Sequence, residues 1–169
     1  MRKLLSLVFM LLFCSSLLAQ QEVLGFWQTL DEKTEKPNSV VAVYGYQGKV
    51  YVRELGSFNA KGEIDDSIYN PQSKAPGLAG NPYYSGLDFV WNLTYEGSGR
   101  FTGYVVDPRN GKIYNAELWR KGPNLILRGE LFTFGENRVW TPFPEDKFND
   151  KFKKPDVSTF VPVIPQPLN

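Results

Sequence analysis

Apolar and polar residues alternate along the chain in short segments that glycine, proline and asparagine separate. In the clearest segment every second residue is apolar, namely Leu87, Phe89, Trp91 and Leu93. A period of two residues is typical of a β-strand. Similar segments rich in β-branched and aromatic residues occur at 24–30, 39–46, 49–58, 100–106, 112–120, 125–131 and 137–141. The pattern therefore predicts eight strands.

Short turn sequences join most of these segments, at residues 47–48, 107–111 and 121–124. Strands joined by short links are usually antiparallel neighbours. We therefore predict an all-β domain over residues 20–143, folded as an up-and-down antiparallel barrel of about eight strands, because closure leaves no exposed sheet edge. A β-sandwich is the alternative.

Two segments break the alternation. Residues 59–86 contain Pro71, Pro76 and Pro82 and several glycines, and a loop of this length is usually functional or mobile. Residues 144–169 are rich in proline and include a charged stretch. We expect this second segment to be a disordered tail that neither pairs nor packs and is dispensable for folding.

The N-terminus has the pattern of an export signal. Arg2 and Lys3 precede an apolar run at 4–13 that is too short to span a bilayer, and Ala19 offers a cleavage site. We therefore predict removal of residues 1–19 and a periplasmic or secreted location. Membrane association is expected only if the signal is retained or if Cys14 carries a lipid.

Composition narrows the chemistry. The chain has 19 basic and 18 acidic residues, and the signal would remove two of the basic ones. This balance gives no electrostatic reason to expect a nucleic-acid partner. Histidine is absent, and the mature chain would lack cysteine, so the commonest general base and metal ligand are missing. We predict no enzyme activity, no cofactor and no metal site.

A series of motifs follows the predicted strands. They are Gly25-Phe26-Trp27, Tyr69-Asn70-Pro71, Gly86-Leu87, Phe101-x-Gly103-x-Val105-x-Asp107-Pro108, Gly111-Lys112-x-Tyr114-x-Ala116-x-Leu118, Leu125-x-Leu127-Arg128-Gly129 and Trp140. Their order resembles the secreted bacterial family called domain of unknown function 2147. The resemblance implies a lipocalin-like or calycin-like barrel. Thr141 and Pro142 stand where such proteins often carry a basic residue, so no C-terminal role is carried over.

Several residues are candidates for the interior of such a barrel. The resemblance implies that Gly25 and Trp27 form a structural plug at one end, with Arg128 or Arg138 over the indole ring. The aromatic residues expected to face inward as ligand contacts are Tyr51, Phe89, Trp91, Phe101 and Tyr114. Arg128 is the candidate polar anchor. The alternative is that these side chains simply fill the core.

The function that these features favour is binding or shielding of a small apolar or amphiphilic ligand, such as a fatty acid or lipid. Small residues at Gly103, Ala116 and Gly129 are expected to leave space for it, with entry beside the loop at 59–86. Two alternatives remain open: a structural or protein-interaction module of the cell envelope, and a small outer-membrane barrel.

Overall fold

The structure is a computed structural model that describes residues 21–31, 34–129 and 136–168. Its strands are β1 (Gly25–Leu30), β2 (Pro37–Tyr46), β3 (Lys49–Phe58), β4 (Ile64–Ser67), β5 (Asp88–Gly97), β6 (Arg100–Val106), β7 (Ile113–Lys121), β8 (Asn124–Gly129) and β9 (Glu136–Pro142). Short 3₁₀ turns follow at Glu145–Lys147 and Val157–Thr159. No helix among the described residues has the length and apolar character needed to cross a membrane. The signal predicted at 1–19 lies outside the described residues.

Eight of these strands form a closed antiparallel barrel in chain order, and the predicted fold class is confirmed. β1 closes the barrel because it pairs on one side with β2 and on the other with β9, where Thr29 lies opposite Trp140. The ninth strand, β4, pairs only with the end of β3, at Gly56 and Ser67 among others. It was not predicted because its sequence, Ile-Asp-Asp-Ser, has no apolar alternation.

A buried carboxylate organises the long loop that contains β4. Asp66 accepts hydrogen bonds from the backbone N–H groups of Gln72 and Ser73 and from the Ser85 hydroxyl, at 3.2, 2.9 and 2.8 Å. Burial opposes its ionisation, yet these hydrogen bonds hold the pKa of Asp66 below its usual value. The loop is therefore a structured element at one end of the barrel.

Alternation places one face of each strand inside the barrel. Val50 and Val52 of β3 belong to the interior core, so Tyr51 between them lies on the outer face. In β5 a bulge changes the alternation, because Asn92 adopts a positive φ of 55° and the register with β6 shifts. Val90 and Leu93 therefore both pack in the barrel core. The prediction that Leu87, Phe89, Trp91 and Leu93 share a face was wrong.

Trp27 lies in the core near the start of β1. It is 3% exposed, and its Nε1 donates a hydrogen bond to the Val23 carbonyl oxygen at 3.0 Å. The guanidinium of Arg120 stands 4.8 Å from the indole ring centre. This placement corrects the expected partner, because Arg128 lies on the outer face and Arg138 lines the opposite end of the barrel. Gly25 adopts a φ of 131°, which favours glycine.

Residues 143–168 pack against the outside of the barrel, in contrast to the disordered tail expected from the sequence. Phe143 and Phe152 are 4% and 3% exposed and cover Val40, Ala42 and Leu55 of β2 and β3. The physical reason is that these strands carry apolar residues on both faces, so their outer face needs a cover. We call residues 143–168 the C-terminal segment.

The last residues of the C-terminal segment also form hydrogen bonds with the long loop between β4 and β5. The Ala79 amide donates to the Gln166 carbonyl oxygen at 2.8 Å, and the Leu168 amide donates to the Gly77 carbonyl oxygen at 3.0 Å. Gly77 packs so closely on the turn at Gly111 that a Cβ atom there would overlap backbone atoms. The loop is therefore enclosed between the turn after β6 and the C-terminal segment.

Candidate functional site

The barrel has an open-ended cavity of about 290 Å³ where β1 finishes and β9 begins. Its apolar and aromatic lining includes Phe89, Val105, Tyr114, Leu127 and Trp140. Its polar lining includes Thr29, Ser39, Glu54 and Arg138, with Tyr84, Asp107 and Arg109 contributed by the loop and the turn after β6. An apolar chamber with few polar groups is typical of a small-molecule site.

Small side chains keep this end of the barrel open. Gly129 ends β8, and a Cβ atom built on it would meet only Val105 Cγ1, at the ordinary contact distance of 3.5 Å. Thr29 and Ser39 point short hydroxyl groups at each other, with their oxygens 2.8 Å apart. The small size of these residues therefore leaves space at this end of the barrel.

The other two small residues expected to leave space for a ligand, Gly103 and Ala116, lie outside the cavity. Gly103 lets β6 approach β5, because a Cβ atom there would lie 2.6 Å from the Trp91 carbonyl oxygen. Ala116 packs in the barrel core. Both also border a depression of about 660 Å³ on the outer wall, lined mainly by polar residues of β5, β6 and β7. Only Gly129 of the three borders the cavity.

Glu54 brings a carboxylate into the cavity lining from β3. Its position is fixed because its amide donates to the Leu87 carbonyl oxygen at 3.0 Å and its carbonyl accepts from the Gly86 amide at 2.7 Å. Burial, with the nearby negative charge of Asp66, raises the pKa of Glu54 to about 7. Among the described residues, the groups that act on this carboxylate are its buried surroundings and Asp66, and none of them donates a hydrogen bond to it.

The charged groups nearest the mouth of the cavity, unlike Glu54, include an ion pair. Arg109 donates from Nε and Nη2 to the two carboxylate oxygens of Asp107, each at 2.9 Å. Because of these hydrogen bonds the pKa of Asp107 lies below its usual value. Arg138 lines the cavity two residues closer to the open end than Trp140, and burial lowers its pKa. Within the described residues no group of three or more potential metal ligands occurs.

The structure brings only part of the predicted ligand site together. Phe89 and Tyr114 line the cavity, so a ligand contact remains a prediction for them. Phe101 is 1% exposed and fills the barrel core instead.

Three predicted ligand contacts lie outside the barrel. Tyr51 donates its hydroxyl to Asn92 Oδ1 at 3.0 Å, and Trp91 stacks on Tyr104 with ring centres 6.1 Å apart. Arg128 follows the interior residue Leu127 and therefore points to the outer face. The predicted inward direction of these three side chains was wrong.

Three further cavity residues were not predicted from the sequence as part of the site: Glu54, Arg138 and Trp140. The sequence does contain an indication of the role of Glu54. Glu54 follows Val50 and Val52 at a spacing of two residues, so it is a charged residue on the apolar, inward face of β3. A charged residue at such a position is uncommon without a partner or a role.

Comparisons with known proteins agree with this architecture. A family model described as "Uncharacterized protein conserved in bacteria (DUF2147)" matches residues 25–142. No curated protein matches the chain. The fold is similar to a solved structure described as "Protein HP1028 from the human pathogen Helicobacter pylori belongs to the lipocalin family". The TM-score is 0.62 and the identity 17%, covering 79% of this chain and 92% of that one.

Proposed function

Since the chain belongs to the DUF2147 family of bacterial proteins and folds as a lipocalin-like barrel, we propose that it binds a small apolar or amphiphilic ligand. The ligand, such as a short fatty acid or another lipid fragment, occupies the open-ended cavity. Its apolar part packs against Phe89, Leu127 and Trp140, and the polar part of a fatty acid faces the mouth. The proposal involves no chemical step.

The cavity itself is the observation that carries this proposal. Its volume of about 290 Å³ is at the lower end of the range of ligand sites, which is roughly 300–1,000 Å³. A ligand with a short chain or a single ring fits this size better than a complete phospholipid. The ordered loop beside the mouth contributes Tyr84, so it shapes the entrance.

Export is part of the same proposal. The charged start, short apolar run and Ala19 support removal of a signal, so the barrel would meet its ligand in the periplasm or outside the cell. Fractionation of the host, followed by mass determination of the chain, tests this point. Full-length protein in detergent-extracted membranes would contradict it.

Mass spectrometry of the native protein tests the binding function. The protein is purified from its host without detergent, and the small molecules that it carries are extracted and measured. Gly129→Leu places a side chain in the cavity, whereas Thr94→Leu places the same side chain on the exposed outer wall. We expect a co-purifying molecule in the wild type and Thr94→Leu, and its loss from Gly129→Leu. Equal recovery from all three proteins would contradict a ligand in this cavity.

A further inference from the structure

We propose that the cavity selects amphiphiles whose polar head is a protonated amine, held by the Glu54 carboxylate and the surrounding aromatic rings. The inference rests on the proposed function, since it names the ligand class of the same cavity. The inference specifies the head group of the ligand, whereas the apolar lining of the cavity binds the alkyl chain of the ligand.

The first support is that the Glu54 carboxylate lines the open cavity and receives no hydrogen bond from the described residues, so a ligand can supply the donors. An ionised carboxylate has two oxygens that accept hydrogen bonds, and removing it from water without donors costs free energy. The described residues supply no donor to it, although the neighbouring Asp66 carboxylate receives three. A ligand that brings N–H donors and a positive charge would satisfy Glu54, and a second carboxylate would not.

The second support is the aromatic character of the same chamber. The rings of Tyr84, Phe89, Tyr114 and Trp140 all line it, and the centres of Phe89 and Trp140 are 6.2 Å apart. Aromatic faces attract cations through the ring quadrupole, most strongly where water is excluded. A carboxylate among several rings is therefore a suitable environment for an ammonium group.

The other charged groups around Glu54 come from three neighbouring parts of the structure. Asp66 of β4 adds negative potential, and Asp107 and Arg109 after β6 form a pair that compensates itself. Arg138 of β9, which has an interaction of its own, adds positive potential that opposes an amine and favours a carboxylate. Among the ionisable hydroxyls, Tyr84 and Tyr114 complete the lining. The proposal therefore predicts that Glu54 outweighs Arg138 in the choice of head group.

The affinity of the cavity for an amine should depend on pH if Glu54 holds the head group. An alkylamine stays protonated through the neutral range, whereas Glu54 gains a proton below a pKa of about 7. Amine binding should then weaken about tenfold for each pH unit below that pKa, which amounts to roughly 30-fold between about pH 8.5 and about pH 5.5. Binding of a neutral head group should change little over the same interval.

Isothermal titration calorimetry with octylamine, octanoate and 1-octanol tests the proposal, because these eight-carbon probes differ chiefly in the head group. The proteins are the wild type, Glu54→Gln and Glu117→Gln, the last of which removes one negative charge from the outer wall. At about pH 8.5 we expect the wild type to prefer octylamine over octanoate. Glu54→Gln should weaken octylamine binding by at least about tenfold and remove its pH dependence, with 1-octanol unchanged. Glu117→Gln should bind like the wild type.

The outcomes separate this inference from the proposed function. If 1-octanol or octanoate binds and octylamine is not preferred, or if Glu54→Gln retains wild-type octylamine affinity, the amine inference is wrong and the binding function stands. If none of the three probes binds the wild type, both are wrong. A loss in Glu117→Gln equal to that in Glu54→Gln would show a general charge effect and would also overturn the inference.

Discussion

Arg53 and Asp88 form a bidentate ion pair on the outer wall of the barrel, with Nε 2.9 Å and Nη2 2.6 Å from the two carboxylate oxygens. The Asp88 side chain is fully buried. The C-terminal segment covers the pair: the Val163 amide donates to Asp88 Oδ2 at 2.9 Å, and Arg53 Nη2 donates to the Val161 carbonyl oxygen at 2.9 Å. The pair therefore joins β3, β5 and the C-terminal segment.

Asp88→Ala should strongly destabilise the protein. The change leaves the Arg53 guanidinium without its carboxylate in a largely buried place, and breaking such a pair typically costs about 3–5 kcal/mol. Urea unfolding measures the difference. Glu117→Ala is the control, because it breaks the exposed ion pair with Arg100, for which we expect a loss below about 1 kcal/mol. Equal losses in the two variants would contradict the bridging role of Asp88.

Removal of the C-terminal segment after Pro144 should lower the thermal unfolding temperature. The truncation takes away Phe148, Phe152 and Phe160 and exposes apolar residues on β2 and β3 to water. Differential scanning calorimetry of the truncated and complete mature chains measures the effect. An unchanged unfolding temperature would restore the interpretation of this segment as a dispensable tail.

The architecture could be predicted from the sequence because most strands have a recognisable local pattern of alternating apolar residues. Alternation and turn residues located all eight barrel strands, and the motifs between Gly25 and Trp140 identified the family. The C-terminal segment was misjudged because proline content was weighed above its phenylalanines. The informative signal lay elsewhere, in the apolar residues on both faces of β2.

The site was harder to predict because it depends on side-chain direction. The bulge at Asn92 places Trp91 and Leu93 on opposite faces, and it arises from a backbone conformation that the alternation pattern does not contain. Arg120 of β7 contacts Trp27 of β1, although the two strands are not neighbours in the sheet, so this contact depends on the closure of the barrel. Phe89 and Tyr114 line the cavity, and Phe89 does so beside a second register shift, which lies between β3 and β5.

Trp27→Ala should cost about 3–5 kcal/mol of unfolding free energy, as for other buried tryptophans. The change removes a core side chain, its hydrogen bond to Val23 and its contact with Arg120. Chemical denaturation followed by circular dichroism measures it. Trp119→Ala is the matched control, because Trp119 is only partly buried on the outer wall. A smaller loss in Trp27→Ala than in the control would contradict its role as a core plug.

The stability of the protein should depend on the ionisation of Glu54. The folded chain binds this proton more tightly than the unfolded chain, because the pKa rises from 4.5 to about 7. The contribution of Glu54 to stability is therefore greatest below about pH 4.5 and is lost as the pH approaches 7, by up to about 3 kcal/mol. Asp66 affects the pH dependence of stability only at lower pH, because its pKa is lowered from 3.8.

Urea unfolding of the wild type and Glu54→Gln across this interval isolates the effect. Subtracting the two curves should leave a wild-type loss of stability as the pH rises, because glutamine does not ionise. Parallel curves at every pH would contradict a buried, proton-binding Glu54.

Changes in backbone amide chemical shifts during titration with 1-octanol show both whether a ligand binds and where it binds. A ligand in the cavity should produce saturable changes concentrated at cavity residues such as Phe89, Leu127, Gly129 and Trp140, with Tyr104 on the outer wall unchanged. The absence of saturable changes, or changes centred on Tyr104, would contradict ligand binding in the barrel.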